Sequence, residues 1–189
     1  MIAAAVGIIA QQLNQHFRRT FDLNEDVVVA SNILEQSGDV AQGANNKLLL
    51  FLVNIEKEAI ANRPAGAGGG AFDRATVGSS PVFLNIYLMM AANFADYTES
   101  LKFISRAIGF FQRTPVLDHQ NTPDLDQRIG RLALDIENLS IHDLSTLWGV
   151  LSGRYLPSIL YKVRLLVVDG EDIRGLVPRV VQPEPAVGR

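Results

Sequence analysis

Three groupings of side chains have the types that chemistry needs: Asp118, Asp124 and Asp126; Asp135 with Glu137; and Ser152 in the run GVLSG. The first cluster offers hard carboxylate oxygens of the kind Ca²⁺ takes. Its spacing does not follow an EF-hand loop, and Asp-rich loops need no metal. Asp135 and Glu137 lie two apart and share one face of a strand. They have the types of a general acid and base, or they line a solvated or partner-facing strand face. Ser152 misses the Gly-x-Ser-x-Gly elbow, because Gly149 stands one residue too far back and the run ends a helix. His16, His119 and His142 show no ligand spacing. The Gly-rich run PAGAGGG (64–70) lacks the Lys-Ser/Thr of a P-loop, and no helix start follows it. It reads as a flexible hairpin tip. Nucleophile, base and oxyanion donor are not assembled anywhere, so the chain reads as non-enzymatic, with no cofactor and no metal. One polar pair resists a bland reading. Asn85 interrupts an apolar strand, and Tyr87 follows it on the same face. A buried amide needs hydrogen-bond partners. Either that face meets solvent, or another chain or the loop over 61–81 covers it; packing is the expected role.

The elements that position these residues are legible from periodicity. Ile2, Val6, Ile9, Leu13 and Phe17 recur at helical spacing, with Arg18 and Arg19 at the end where cations suit the dipole. Residues 26–31 and 47–57 read as strands. The run 48–53 is apolar on both faces, as in an interior strand covered on two sides. Breaker-rich residues 61–81 form a long loop. Residues 82–90 form a strand with Val82, Leu84, Ile86, Leu88 and Met90 on one face. Asp96 with Glu99 has capping-box spacing and starts a helix with the stripe Tyr97, Leu101, Ile104, Ile108, Phe111. Residues 116–128 read as a surface loop. Leu132, Leu134 and Ile136 alternate in a half-exposed strand. Ser140 starts a third helix with Leu144, Leu147, Trp148 and Leu151 on its buried face and Gly153 as its stop. The last strand begins at Ser158, with Tyr161, Val163, Leu165 and Val167 on one side and Lys162 and Arg164 on the other. The pattern fails from Gly170. The expectation is an α+β fold, a mostly antiparallel or mixed sheet flanked by helices over 1–169, followed by a Pro-rich tail over 170–189.

The chain has 189 residues, enough for one domain that needs no staple. A net charge of −3 and a pI near 5.6 give no footprint for nucleic acid. Cys is absent, which excludes disulfides and thiolate metal sites. The apolar N-terminus lacks a basic leader and is too short to span a bilayer, so the expectation is cytoplasmic synthesis without a signal peptide and no membrane insertion.

Several blocks in series carry a resemblance: Asn62-Arg63 before a variable loop, PVFLNIY (81–87), LKFISRAIGFFQRTPVL (101–117), LSTLW (144–148) and YLPSILYKVR (155–164). The chain resembles the tail-terminator, or cap, family of contractile injection systems of the antifeeding-prophage type, over about residues 1–169. The resemblance implies a sheet flanked by helices and a homohexameric ring at the end of the particle distal to the baseplate. Such a ring would end the inner tube and anchor the last sheath layer, so the implied partners are the chain itself, the tube protein and the sheath protein. The loop after Asn62 is unusually Gly- and Ala-rich, which puts contacts carried by it in question. The resemblance also carries the expectation that any extra C-terminal domain of longer relatives is missing. Expected contacts are Arg63, Asn85, Tyr87, Tyr161, Lys162, Val163 and Arg164. A non-enzymatic adaptor or anchor of the same kind of particle is the alternative; a small hydrolase would need a polar pocket for which no motif is present.

Overall fold

Ala, Ile and Leu at helical spacing, with no proline, carry the first twenty-residue helix. The computed structural model describes residues 1–35, 37–58, 74–78, 82–151, 154–167 and 173–178. In it α1 runs Ile2–Phe21, ends on a left-handed Asp22 and buries Ile9, Leu13 and Phe17. Strands β1 (Val28–Ala30), β2 (Lys47–Lys57) and β3 (Arg74–Gly78) follow, then β4 (Val82–Asn93) and α2 (Tyr97–Arg113). Strands β5 (Val116–Asp118) and β6 (Ile129–Glu137), helix α3 (Ile141–Val150), and strands β7 (Ser158–Val167) and β8 (Ile173–Pro178) complete the described elements.

Six strands form one mixed sheet in the order β1-β2-β4-β7-β6-β5, in which β1 runs parallel to β2 and the other neighbours are antiparallel. Its two faces build two cores. Helices α1 and α2 cover the face that carries Leu48, Leu50, Ile86, Leu88, Met90, Leu132, Leu134, Tyr161, Val163 and Leu165. Helix α3 and the segment around Ile33 and Ala41 cover part of the other face, over Leu49, Phe51, Met89, Ala91 and Leu160. The expected two-sided burial of β2 is therefore observed for residues 48–51.

Three sequence expectations change. Helix α2 is rotated from its expected stripe: Ser100, Phe103, Ile104, Ala107 and Phe111 face the sheet, while Tyr97 and Leu101 are 64% and 43% exposed. Small Ala107 and Ser100 let the helix approach closely, and the Ser100 hydroxyl donates back to the Asp96 carbonyl at 3.3 Å. Residues 116–128 are more than a surface loop. They contain β5, and Leu117, Thr122 and Leu125 are buried. Within the breaker-rich loop and the tail, residues 74–78 and 173–178 pair with each other as the antiparallel strands β3 and β8.

The two sheet edges differ. On α1, buried Asn14 accepts from the Val27 and Val28 amides at 3.0 and 2.8 Å, and donates to the Val28 carbonyl at 2.8 Å. These bonds seal the outer side of β1. At the other edge β5 covers only Arg131–Ala133, with one further bond from the Leu134 amide to the Pro115 carbonyl.

Candidate functional site

The part of the sheet that α3 leaves uncovered carries a band of polar side chains. Its position depends on a bulge. Leu52 pairs with Leu88, but Asn54 rather than Val53 pairs with Tyr87. The extra residue reverses the facing of everything after it. Without it Asn54 would stand opposite Ile86 in the core and Ile55 opposite Asn85. With it Asn54 and Glu56 join Tyr87 and Asn85 on the polar side.

Cross-strand register then assembles the band. Tyr87 lies opposite Lys162, which lies opposite Asp135; Asn85 lies opposite Arg164. The Tyr87 hydroxyl donates to the Glu56 carboxylate at 2.9 Å, and the Asn54 amide donates to the other Glu56 oxygen at 3.1 Å. That bond to Glu56, helped by burial, raises the Tyr87 phenol above its ordinary value. The Lys162 ammonium sits 5.7 Å from the Tyr87 ring centre, and Arg164 reaches Asp135 at 3.4 Å. Acidic groups on β2 and β6 thus stand on either side of the basic pair on β7, with the neutral Tyr87 and Asn85 of β4 between. Arg164 and Asp135 keep more than half their side-chain surface exposed, so their ion pair contributes little to stability. Such a band is better suited to recognising a partner of complementary charge pattern than to holding the fold together.

The expected contact residues divide between the faces. Asn85, Tyr87, Lys162 and Arg164 lie on one face in the band, but Asn85 is itself buried at 5% exposure and its amide oxygen has no hydrogen-bond partner among the described residues. Tyr161 and Val163 alternate to the helix-covered face and are buried within this chain at 3% and 0% exposure. Arg63, the run PAGAGGG, Ser152 and Gly153 lie outside the described residues. Glu56 and Asp135 complete the band. Asp135 was visible in the sequence as one of a facing pair, whereas Glu56 needed the bulge to be known.

The chemistry-bearing groups are used for structure. Asp118 closes a turn by accepting from the Gln120 and Asn121 amides at 2.9 and 3.1 Å. Asp124 accepts from Gln11. Asp126 holds Arg128 at 2.7 Å, and that guanidinium keeps its carboxyl well below the usual carboxylate range. Among the described residues no group of three His, Asp or Glu is placed to hold a metal ion. His119 contacts the Ile129 carbonyl at 2.9 Å. A cleft of about 210 Å³ lined by Phe111, Leu134, Ile136 and Tyr161 is mainly apolar. No helix among the described residues is long and apolar enough to cross a membrane.

Two solved structures share this fold. One is the sheath/tube terminator of PVC, an extracellular contractile injection system, in its extended state, at a TM-score of 0.56 and 16% identity over 96% of this chain. The other is the tube-terminating cap of the anti-feeding prophage, at a TM-score of 0.58 and 13% identity, again over 96% of this chain. The chain spans 63% and 60% of those two proteins' lengths. Among curated proteins none matches the sequence. The family described as the Pvc16 N-terminal domain matches residues 5–182. That match takes in both cores, the sealed edge and the polar band, and the chain belongs to the Pvc16 N-terminal domain family.

Proposed function

We propose that this chain is a structural cap of a contractile injection system, forming a homohexameric ring that ends the inner tube and anchors the last sheath layer. The observation that carries this reading is that almost the whole chain follows the fold of two proteins whose described role is terminating such a tube. The polar band supports it as a contact surface. A side-by-side arrangement that closes into a ring stops lateral growth, and a face that does not match the tube's own stacking surface stops axial growth. Lys162, Arg164, Tyr87 and Glu56 are the side chains we assign to contact with tube or sheath. The reading needs no catalytic group.

Electron microscopy of particles made without this chain tests the proposal. Tubes of uncontrolled length, or particles that lose their sheath, are expected. The double variant K162E/R164E should fold with an unchanged melting temperature and reproduce that defect. Normal particles from cells lacking the chain would overturn the cap reading. Normal particles carrying K162E/R164E would move the contact off the polar band.

A further inference from the structure

Exposed apolar side chains such as Leu101 on α2 and Ile141 on α3 do not say what covers them. A bare strand border says more, because its free N–H and C=O groups take another extended backbone. The β6 border is bare past the point where β5 ends. The Leu134 amide bonds to the Pro115 carbonyl, so the N–H and C=O of Leu134 point away from β7. By the alternation of an antiparallel pair, those of Ile136 do too. Pro115 has no N–H to give back to the Leu134 carbonyl, and Ile136 lies beyond the stretch that β5 pairs. Beside these open groups lies the mainly apolar cleft lined by Phe111, Pro115, Leu134, Ile136 and Tyr161. The buried Tyr161 hydroxyl makes no hydrogen bond among the described residues. On the other face the same border carries Asp135 and Glu137. An occupant must therefore offer a short extended backbone, an apolar side chain with an acceptor toward the cleft, and a cation on its opposite side.

We infer that residues 179–182 of one copy add as a strand to the open β6 border of the next. These residues lie outside the described ones and read Arg-Val-Val-Gln between Pro178 and Pro183. The β-branched valines favour a strand, and the two prolines limit it to the length of residues 134–137. In extended form Arg179 and Val181 share one side, and Val180 and Gln182 the other. Arg179 then stands by Asp135 and Glu137, Val180 fits the cleft, and the Gln182 amide oxygen offers an acceptor for Tyr161. The geometry favours a second copy over the chain's own border. Strand β8 follows β7, which leaves the sheet where Val167 pairs with Val82 and Ile129, at the opposite end of β6 from Ile136. Pro178 pairs with Arg74 at the far end of the β3–β8 ribbon, whose near end is Ile173 with Gly78. The bare border of β2 beyond Leu50 fits worse, since joining it to β6 would set Glu56 beside Asp135 and Glu137 on one face. The inference rests on the ring reading above and supplies one head-to-tail joint that repeats around the ring.

Hydrogen exchange at the Ile136 amide, read by NMR on the full chain from dilute to concentrated solution, tests the joint. Exchange should slow about tenfold on concentration. R179E/V180D should keep the wild-type melting temperature and lose that slowing. A synthetic peptide of residues 178–184, added to this variant, should restore it, and the same peptide methylated on its backbone nitrogens should not. Slowing that persists in R179E/V180D would overturn the joint by pointing to another occupant. A methylated peptide that works equally well would overturn the strand pairing and leave only the cleft contact. Slowing independent of concentration would give the border to the chain's own tail and overturn the exchange between copies. A peptide that protects nothing would overturn the site altogether. Particles separate this joint from the ring reading. Lost or incomplete rings with R179E/V180D support the joint, and intact rings with that variant defeat the joint alone. Wild-type particles that carry no ring of this chain defeat the ring reading itself.

Discussion

Tyr161 carries a cost that the sequence conceals. Its ring fills the core beside Phe111, 5.4 Å between centres, yet its hydroxyl is buried and makes no hydrogen bond among the described residues. Burial pushes its phenol up to about 12. Tyr161→Phe should therefore raise stability by about 1 kcal/mol in chemical denaturation, since it removes an unsatisfied polar atom and keeps the ring. In an ultraviolet titration the same variant should lose the phenol that ionises last. His16 behaves in the opposite sense. Burial, with Arg113, Arg106 and Arg19 nearby, lowers its pKa from 6.5. The unfolded chain then binds the proton more readily, so stability falls as pH drops below 6.5 toward the folded value. Melting temperature followed from about pH 7.5 to about pH 5 should show this decline, and His16→Phe should flatten it. Alternation in the sequence already placed Lys162 and Arg164 together and apart from Tyr161. It did not show that the Tyr161 side was buried, because that depends on α2 packing over it.

Among the elements, β2 is legible to the residue because an apolar run bounded by two lysines leaves little choice of ends. Helix α2 is legible in extent and misread in rotation. Two overlapping stripes share Ile104 and Phe111, and the large residues Tyr97 and Leu101 favoured the one that the sheet does not use. Close packing chose the stripe with Ser100 and Ala107 instead. Strand β5 is too short for a period to register, and the pairing of β3 with β8 joins segments nearly a hundred residues apart. The bulge in β2 is invisible for another reason: it exists only relative to a partner strand. Deleting Val53 tests its role. The deletion should turn Asn54 and Glu56 to the helix side of the sheet and Ile55 to the polar side, and break the Tyr87–Glu56 hydrogen bond, at a cost of about 1 kcal/mol, read as a drop in the denaturation midpoint. A nearly unchanged midpoint would mean that the register repairs itself elsewhere.

At the scale of the molecule, the sheet arranges three kinds of surface: a sealed border at β1, a charged band between β2 and β6, and apolar patches on the outer sides of α2 and α3. The fold, and the Tyr87, Lys162 and Arg164 part of the band, are legible in the sequence blocks from PVFLNIY (81–87) to YLPSILYKVR (155–164). The patches are not, since a residue such as Leu101 looks the same in a stripe whether it is covered or bare. One further consequence comes from where β7 sits. It is the last strand of the main sheet to be made, yet it lies between β4 and β6, so the ribosome must release residues 158–167 before the β1-β2-β4 half can meet the β6-β5 half. Until then the nascent protein holds two unfinished sheets with bare inner borders. A message truncated upstream of Ser158 yields a polypeptide prone to aggregation and degradation, never a smaller working subunit.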